Sequence, residues 1–198
     1  VPFLKRVRSL PPTAGAAART ALTAELIGRE GEFKRITQAW ERARVGEGRH
    51  LHLSARAGLG KTRLLRDAER RLRAMGGRVL YLRASPGSRQ ISYAFAAELA
   101  RALIAIPGAS GVAPAVMATI LALDPSLGST YQRSPDPSEG AEALRRRTLA
   151  LADMVLALSE DSPLALLLDD VHWMDHESLQ VLAGMLPRLA GASTLVVS

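Results

Sequence analysis

Hydrophobic positions recur along the chain at two spacings, and each spacing predicts a different element. Several segments carry apolar residues three or four positions apart, which predicts amphipathic helices. These stripes are Phe33, Ile36, Trp40 and Ala43; Leu64, Leu65, Ala68, Leu72 and Met75; Ile91, Phe95, Leu99, Leu103 and Ile106; and Leu144, Thr148, Leu151, Val155 and Leu158. A further helix is predicted from about Glu177 to Leu189, with Pro187 disturbing its last turn.

The segments between these helices have the length and the residue types of strands. They are RHLHLSA, RVLYLRA, LALLL and STLVVS. Every position of LALLL, residues 164–168, is apolar, which is typical of a strand buried on both faces of a parallel sheet. Strands that alternate with helices predict an α/β fold in which helices flank a parallel sheet. Ligands of such folds bind at the carboxyl ends of the strands.

Two segments differ from the rest of the chain in composition. Residues 1–24 contain a Pro-Pro pair and an alanine-rich run, and we predict a linker or an irregular arm there. Residues 107–140 are rich in Gly, Pro and Ser, with a short helical piece near residues 116–123, and we predict an insertion-like, partly mobile segment. The first residue is not methionine, so we expect a piece of a longer protein.

The composition is that of a globular domain. Of the 198 residues 47% are hydrophobic, which is enough for the core of one domain. Cysteine is absent, which excludes disulfide bonds and thiolate metal sites and fits a reducing cytoplasm. No apolar run reaches the roughly 18 residues that a membrane-spanning helix needs. We therefore expect a cytoplasmic protein with no membrane partner.

The charge balance is strongly basic, with a formal net charge of +7 and a pI of about 10.7. Such a balance can indicate contact with nucleic acid or with a membrane surface. Lysine occurs only at Lys5, Lys34 and Lys61, however, the arginines are spread among acidic residues, and aromatic residues make up only 4%. This distribution indicates that the positive charge reflects a coding bias toward arginine along the whole chain and not a basic binding surface. The alternative, a nucleic-acid-binding domain, predicts DNA binding that depends steeply on salt.

The segment ARAGLGKT, residues 55–62, is a candidate phosphate loop. Loops of the pattern G-x-x-x-x-G-K-S/T turn backbone N–H groups toward an anion, reach the outer phosphates with the lysine and hold Mg²⁺ with the hydroxyl. Gly60, Lys61 and Thr62 match this pattern, and the helix predicted after them would add the partial positive charge of its N-terminus. The alternative is an ordinary glycine turn between a strand and a helix.

Ala55 occupies the position of the first glycine in this pattern. Alanine is strained there only if the backbone requires a positive φ. With a positive φ, we expect Ala55→Gly to tighten phosphate binding. With a negative φ, the same change only destabilises the fold slightly.

Asp169 and Asp170 directly follow the buried strand. A carboxylate at this place can hold Mg²⁺ directly or through water, and a second one can orient or deprotonate an attacking water. We assign the metal to Asp169 and the base to Asp170. The alternative is that they end the strand or cap the next helix, although Asp175 fits the capping role better. Three nearby residues are expected to be a packed aromatic and polar turn residues instead of metal ligands: His172, Trp173 and His176.

A family pattern is carried by LIGREGEF, SARAGLGKTRLL, RVLYLRASPGSRQISYAFAAEL and LALLLDDVHWMDHESLQVLAGMLPRLAGASTLVVS. This pattern resembles the AAA-like ATPase module of the STAND class of signalling NTPases, as found in large bacterial LuxR-type transcriptional regulators. The resemblance covers about residues 25–198. It implies a three-layer P-loop NTPase core, with a parallel β-sheet flanked by helices, that is truncated at its C-terminal side before the family's sensor residue and helical lid.

The resemblance also implies ATP as the ligand, with Mg²⁺. The entry motif near the adenine and ribose is matched by Ile27, Gly28 and Arg29. The phosphates would be bound by the loop and by the start of the next helix, at Ala57, Gly58, Leu59, Gly60, Lys61, Thr62 and Arg63. Thr62 and Asp169 would hold the metal, and Asp170 would be the catalytic base.

The function implied by the resemblance is an ATP-binding switch that slow hydrolysis resets. Its partners would be ATP or ADP and the other domains of the parent protein: the lid, a repeat region and often a DNA-binding helix-turn-helix. Direct nucleic-acid binding by this chain is not expected. We also expect the chain on its own to bind ATP weakly and to turn it over barely above background. The alternatives are a nucleotide-binding scaffold without turnover and a basic nucleic-acid-binding domain.

Overall fold

A parallel four-stranded sheet lies at the centre of the fold. The computed structural model describes residues 29–56, 58–124 and 140–198. The strands are β1 (Arg49–Leu51), β2 (Arg78–Arg83), β3 (Leu164–Asp169) and β4 (Thr194–Val197). They follow one another across the sheet in the order β1-β4-β3-β2, and each pair of neighbours is parallel. The predicted α/β fold with a parallel sheet is confirmed.

Helices cover both faces of this sheet and complete three layers. They are α1 (Glu30–Ala43), α2 (Lys61–Ala74), α3 (Ala94–Ile104), α4 (Pro114–Leu123), α5 (Gly140–Asp161) and α6 (His176–Met185). Buried residues of α1 and α2 form one hydrophobic core with the sheet. Buried residues of α3 to α6 form a second core on the opposite face.

The central strand β3 contributes to both cores. Leu164, Leu166 and Leu168 pack toward α3 to α6, whereas Ala165 and Leu167 pack toward α1 and α2. Every residue of β3 is buried, as the apolar run predicted. Burial of a leucine side chain contributes about 1.5–3 kcal/mol relative to exposure. The strand that ends in Asp169 is therefore firmly anchored.

Two predicted helices differ in their ends from the structure. Helix α3 begins at Ala94, so Ile91 lies before it and is 61% exposed instead of buried. The backbone at Tyr93 has a φ of 62°, which interrupts helical geometry between the two. Helix α6 stops at Met185, and the 3₁₀ turn that follows, Leu186–Leu189, contains Pro187. The predicted disturbance by proline is thus confirmed.

The Gly/Pro/Ser-rich segment is helical in its first half. Helix α4 lies within it, as the short periodic piece predicted, and its Ile120 is fully buried against the core. Residues 125–139 and the predicted arm at residues 1–24 lie outside the described residues. Among the residues that the structure describes, no helix has both the length and the apolar character needed to cross a membrane.

Candidate functional site

The carboxyl ends of the strands bring the predicted site residues to one edge of the sheet. Strand β1 leads through the candidate phosphate loop into α2, and β3 ends at the acidic pair. Pairing of β1 with β4 continues past the end of β1, because Leu53 N donates to the carbonyl of Ser198 at 2.6 Å. Strand β4 lies between β1 and β3. The loop and the acidic pair therefore flank the end of β4 from opposite sides.

The glycines of the loop have the backbone geometry that only glycine adopts easily. Gly58 and Gly60 both have a φ of 79°. A Cβ built at either position would meet no atom within 4 Å, so the space beside the loop is open. Glycine is needed here for the backbone conformation, and the open space leaves room for a ligand to approach the loop.

The N-terminus of α2 faces this loop without a capping side chain. Gly60, which precedes the helix, has no side chain that could cap it, and the first turn contains no acidic residue. The first N–H groups of a helix have no intrahelical acceptor, and they carry the positive end of the helix dipole. This arrangement suits an anion.

Lys61 spans the loop. Its Nζ donates to the carbonyl oxygen of Ala55 at 2.8 Å, so the ammonium group lies at the place where the loop begins. A cleft of about 750 Å³, which we call the strand-end cleft, opens beside it. It is lined by Ala55, Gly58, Gly60, Lys61, Thr62, Arg63, Arg83, Asp170 and His172. The structure thus brings most of the predicted loop residues to the same cleft as Asp170.

Asp169 is buried beside this cleft, with 1% of its surface exposed. Its Oδ2 accepts a hydrogen bond from the hydroxyl of Tyr81 at 2.6 Å, and its Oδ1 accepts one from the backbone N–H of Asp170 at 3.0 Å. Both carboxylate oxygens are therefore fixed in direction. Asp169 and Lys61 also line one smaller cavity of about 190 Å³, so the buried carboxylate remains close to the loop.

Tyr81 connects this carboxylate to α2. The guanidinium of Arg66 lies 3.5 Å from the centre of the Tyr81 ring, a cation–π contact. Burial raises the pKa of Tyr81, and the hydrogen bond to Asp169 raises it further. Tyr81 stays protonated at neutral pH and acts as a hydrogen-bond donor. Sequence reasoning missed Tyr81, since its place in RVLYLRA indicates only a strand residue.

Removal of the Tyr81 hydroxyl leaves an oxygen of Asp169 buried without its donor. We expect Tyr81→Phe to lower the free energy of unfolding by about 1–3 kcal/mol. Urea denaturation followed by far-UV circular dichroism measures this loss. Tyr93→Phe is the matched control, because the Tyr93 hydroxyl makes no hydrogen bond within the described residues. Equal stability of the two variants would contradict a structural role for the Tyr81–Asp169 bond.

Asp170 stands at the end of β3 in a left-handed conformation, with a φ of 54°. Its Oδ2 accepts a hydrogen bond from Arg83 Nε at 2.8 Å, and its side chain is 19% exposed. The hydrogen bond that Arg83 donates to Asp170 and the negative charge of Asp170 raise the pKa of Arg83. Non-glycine residues in this conformation are uncommon and occur often at functional sites. The residue predicted as a base is therefore held by an arginine that the sequence did not single out.

Ala55 is not strained. Tyr93 and Asp170 are the non-glycine residues with positive φ in the described part of the chain, so the backbone does not require glycine at Ala55. The hypothesis of backbone strain at Ala55 is thus wrong. The alternative applies, in which Ala55→Gly only destabilises the fold slightly.

We expect Ala55→Gly to leave nucleotide affinity unchanged and to lower the free energy of unfolding by about 0.4–1 kcal/mol, because glycine adds entropy to the unfolded chain. Ligand titration combined with urea denaturation measures both effects. A gain in affinity would show that the loop gains from flexibility at this position.

The remaining predicted residues do not all line the strand-end cleft. Arg29 lines a neighbouring cavity of about 320 Å³ that also touches Lys61. Leu59, at the tip of the loop, is 52% exposed. Three predicted residues lie outside the described part of the chain: Ile27, Gly28 and Ala57. The rings of His172 and Trp173 are in tilted contact, 4.9 Å apart, just beyond the acidic pair.

Asp175 caps two helices at once. Its Oδ1 accepts hydrogen bonds from Ser178 N in the first turn of α6, at 2.9 Å, and from Tyr93 N before α3, at 2.8 Å. Its Oδ2 accepts one from Phe95 N at 3.2 Å. The predicted capping role is confirmed, and Asp175 also joins the start of α6 to the start of α3.

Comparison with known families decides the class of this fold. The family model described as an AAA ATPase domain matches residues 25–197. The chain belongs to the AAA ATPase domain family. It is also 29% identical, over 189 residues, to an uncharacterized protein of Rhizobium meliloti (strain 1021). That match covers 87% of this chain but only 18% of the relative. No solved structure matches the chain significantly.

Membership of the AAA ATPase domain family implies nucleotide binding, and the observed site fits a phosphate-bearing ligand. The loop glycines leave open space, the uncapped N-terminus of α2 faces the same space, and Lys61 supplies a positive charge. Thr62 lines the strand-end cleft, and Asp169 lines the smaller cavity next to Lys61, so both residues assigned to the metal offer oxygen atoms, the ligands that Mg²⁺ prefers. The residues present therefore match the chemistry that the family implies.

Proposed function

We propose that the chain is an ATP-binding, slowly hydrolysing regulatory module of a multidomain bacterial signalling or transcriptional regulator of the STAND type. One observation carries the proposal. Lys61 and Thr62, at the N-terminus of α2, line the same cleft as Asp170 at the end of β3. Transfer of a phosphoryl group to water requires groups that bind the phosphates and, in the same cleft, a carboxylate that can orient the water.

In this proposal each side chain has a separate task. The N–H groups of the loop, from Ala57 to Arg63, and the ammonium of Lys61 bind the phosphates, while Thr62 and Asp169 hold Mg²⁺. The metal, when bound, neutralises charge on the phosphates. Asp170 orients the attacking water and accepts its proton. Three residues next to the adenine and ribose complete the assignment: Ile27, Gly28 and Arg29.

The regulatory part of the proposal rests on sequence patterns and on the size of the relative. The chain spans 18% of the length of the curated relative that it matches, so a module of this kind occurs within a much larger protein. A nucleotide controls such a protein if it binds one arrangement of the domains more tightly than another. The lid, the repeat region and a DNA-binding domain of the parent would be the partners, in the cytoplasm.

One observation supports a scaffold without turnover as the second candidate. Asp170 is paired with Arg83, so one of its two carboxylate oxygens is already engaged by the protein. Nucleic-acid binding receives less support, because arginines on the exposed face of α2 are paired with acids of the same helix. Arg66 and Arg73 each lie 3.1 Å from Glu69, and Arg70 contacts Asp67.

Phosphate release from ATP separates these candidates. We expect the 198-residue chain to bind ATP with Mg²⁺ and to release phosphate barely above background, whereas the full-length parent hydrolyses ATP slowly but measurably. Asp170→Asn in the parent should remove this activity and spare ATP binding, since the amide cannot accept the proton. Unchanged turnover would return Asp170 to a structural role. Absence of turnover in the parent, with binding intact, would favour the scaffold.

A further inference from the structure

Arg83 is the charged residue of the strand-end cleft that the proposed function leaves without a task. It is the last residue of β2, in register with Asp169 on β3, and its side chain reaches past the end of β3 to Asp170. It also lines the cleft together with Lys61 and Thr62. The guanidinium thus lies in the cleft that the acidic pair and the phosphate loop share.

The pair of Arg83 and Asp170 contributes little to the stability of the fold. The Arg83 side chain is 60% exposed, and ion pairs between exposed groups are weak because water and salt screen them. The side-chain entropy that is lost when both side chains are held in one geometry also opposes such pairs. Stability therefore gives no strong reason for an arginine at this position.

The geometry of the guanidinium leaves most of its donors available. Arginine carries five N–H donors in a planar fork, and Nε uses one of them on Asp170. The terminal amino groups of Arg83 make no hydrogen bond to the residues that the structure describes. A second edge of the fork, which suits two oxygens of a phosphate, is thus not committed to the protein.

The other cations of the cleft are placed differently. Nε of Arg63 lies 3.8 Å from Oδ2 of Asp67 on the same helix, and Lys61 lies against the start of the loop. Lys61 and Arg83 approach from opposite sides, one from the phosphate loop and one from the acidic pair. An anion bound along the loop with its far end toward Asp170 would meet Lys61 first and Arg83 last.

We propose that Arg83 is a phosphate-contacting residue that holds Asp170 through Nε and binds the terminal phosphate of a nucleoside triphosphate through its terminal amino groups. This inference rests on the proposed function and extends it. It makes Arg83 the residue of this chain that distinguishes a triphosphate from a diphosphate. It also ties the position of Asp170 to the phosphate beside which the water must be placed.

The test compares ATP and ADP affinities by isothermal titration in the presence of Mg²⁺. We expect Arg83→Gln to weaken ATP binding about tenfold, a change of about 1.4 kcal/mol, and to leave ADP binding within about twofold. Arg89→Gln, which alters an exposed arginine that lies next to Trp173 and does not line the cleft, should change neither. Arg83→Lys keeps the charge but loses the fork, and should fall between the wild type and Arg83→Gln.

A double-mutant cycle with Asp170 gives an independent readout. Asp170→Ala removes a negative charge near the phosphate together with the acceptor of Arg83 Nε, so ATP affinity should rise. The same change made in the Arg83→Gln protein should give a smaller rise, because no arginine is left to release. Equal rises in the two backgrounds would show that Arg83 does not contact the phosphate.

Failure of this inference is distinguishable from failure of the proposed function. If Lys61→Ala weakens both nucleotides while Arg83→Gln changes neither, or changes both alike, the nucleotide site stands and the role of Arg83 is rejected. If the wild-type chain binds neither nucleotide, both proposals are rejected. A thermal unfolding curve for each variant shows whether Arg83→Gln is folded, and Arg83→Lys replaces it if it is not.

Discussion

Replacement of Lys61 by alanine is expected to weaken ATP binding at least tenfold, which corresponds to about 1.4 kcal/mol or more. The ammonium of Lys61 lies at the loop, held by the carbonyl of Ala55, and its charge would meet the outer phosphates. The N–H groups of the loop and of α2 remain in the variant, so weak binding should persist. Titration of a labelled ATP analogue against wild type and variant measures the difference.

Two controls make the Lys61 result specific. Lys34→Ala removes an exposed lysine from α1, outside the strand-end cleft, and should leave affinity unchanged. Urea denaturation should show only a small loss of stability for Lys61→Ala, about 0.5–1.5 kcal/mol for one hydrogen bond. Equal ATP affinity of wild type and Lys61→Ala would mean that residues 55–62 do not form a phosphate loop.

The α/β fold with a parallel sheet could be predicted because local patterns and global packing agree in this chain. The apolar run that became β3 is buried on both faces, and this burial follows from composition alone. The limits of α3 could not be predicted in the same way. Ile91 continues the helical spacing of Phe95, but the backbone at Tyr93 turns left-handed where Asp175 accepts its N–H. A contact with a distant residue thus overrides the periodicity.

The phosphate loop and the acidic pair of the candidate site could be predicted, but the residues that contact the acidic pair could not. The loop around Lys61 and the acidic pair each have a recognisable order of residues, and parallel strands must place both at one edge. The partners of the pair depend on the register between β2 and β3. Tyr81 and Arg83 lie two residues apart on β2 and therefore on the same face, and the register pairs Arg83 with Asp169. A shift by one residue would turn both side chains to the other face, and the sequence analysis predicted no register for this pair of strands.

Replacement of Asp175 by alanine should destabilise the fold by about 3 kcal/mol or more. Loss of a helix N-cap alone costs about 0.5–2 kcal/mol. Asp175 is only 1% exposed, and its carboxylate accepts hydrogen bonds from the backbone N–H groups of Ser178, Tyr93 and Phe95. Each buried donor left without an acceptor costs about 1–3 kcal/mol more, unless water reaches it. Urea denaturation followed by circular dichroism measures the total.

Two further variants separate the cap from the link between the helices. Asp175→Asn keeps one acceptor oxygen, which can still cap α6, so it should lose about half as much stability as Asp175→Ala. Asp153→Ala removes an exposed carboxylate of α5 that pairs with Arg188 at 3.2 Å, and should cost about 0–1 kcal/mol. If Asp175→Ala costs no more than Asp153→Ala, water satisfies the three donors. The start of α3 is then held by hydrophobic packing of Phe95 and not by the carboxylate.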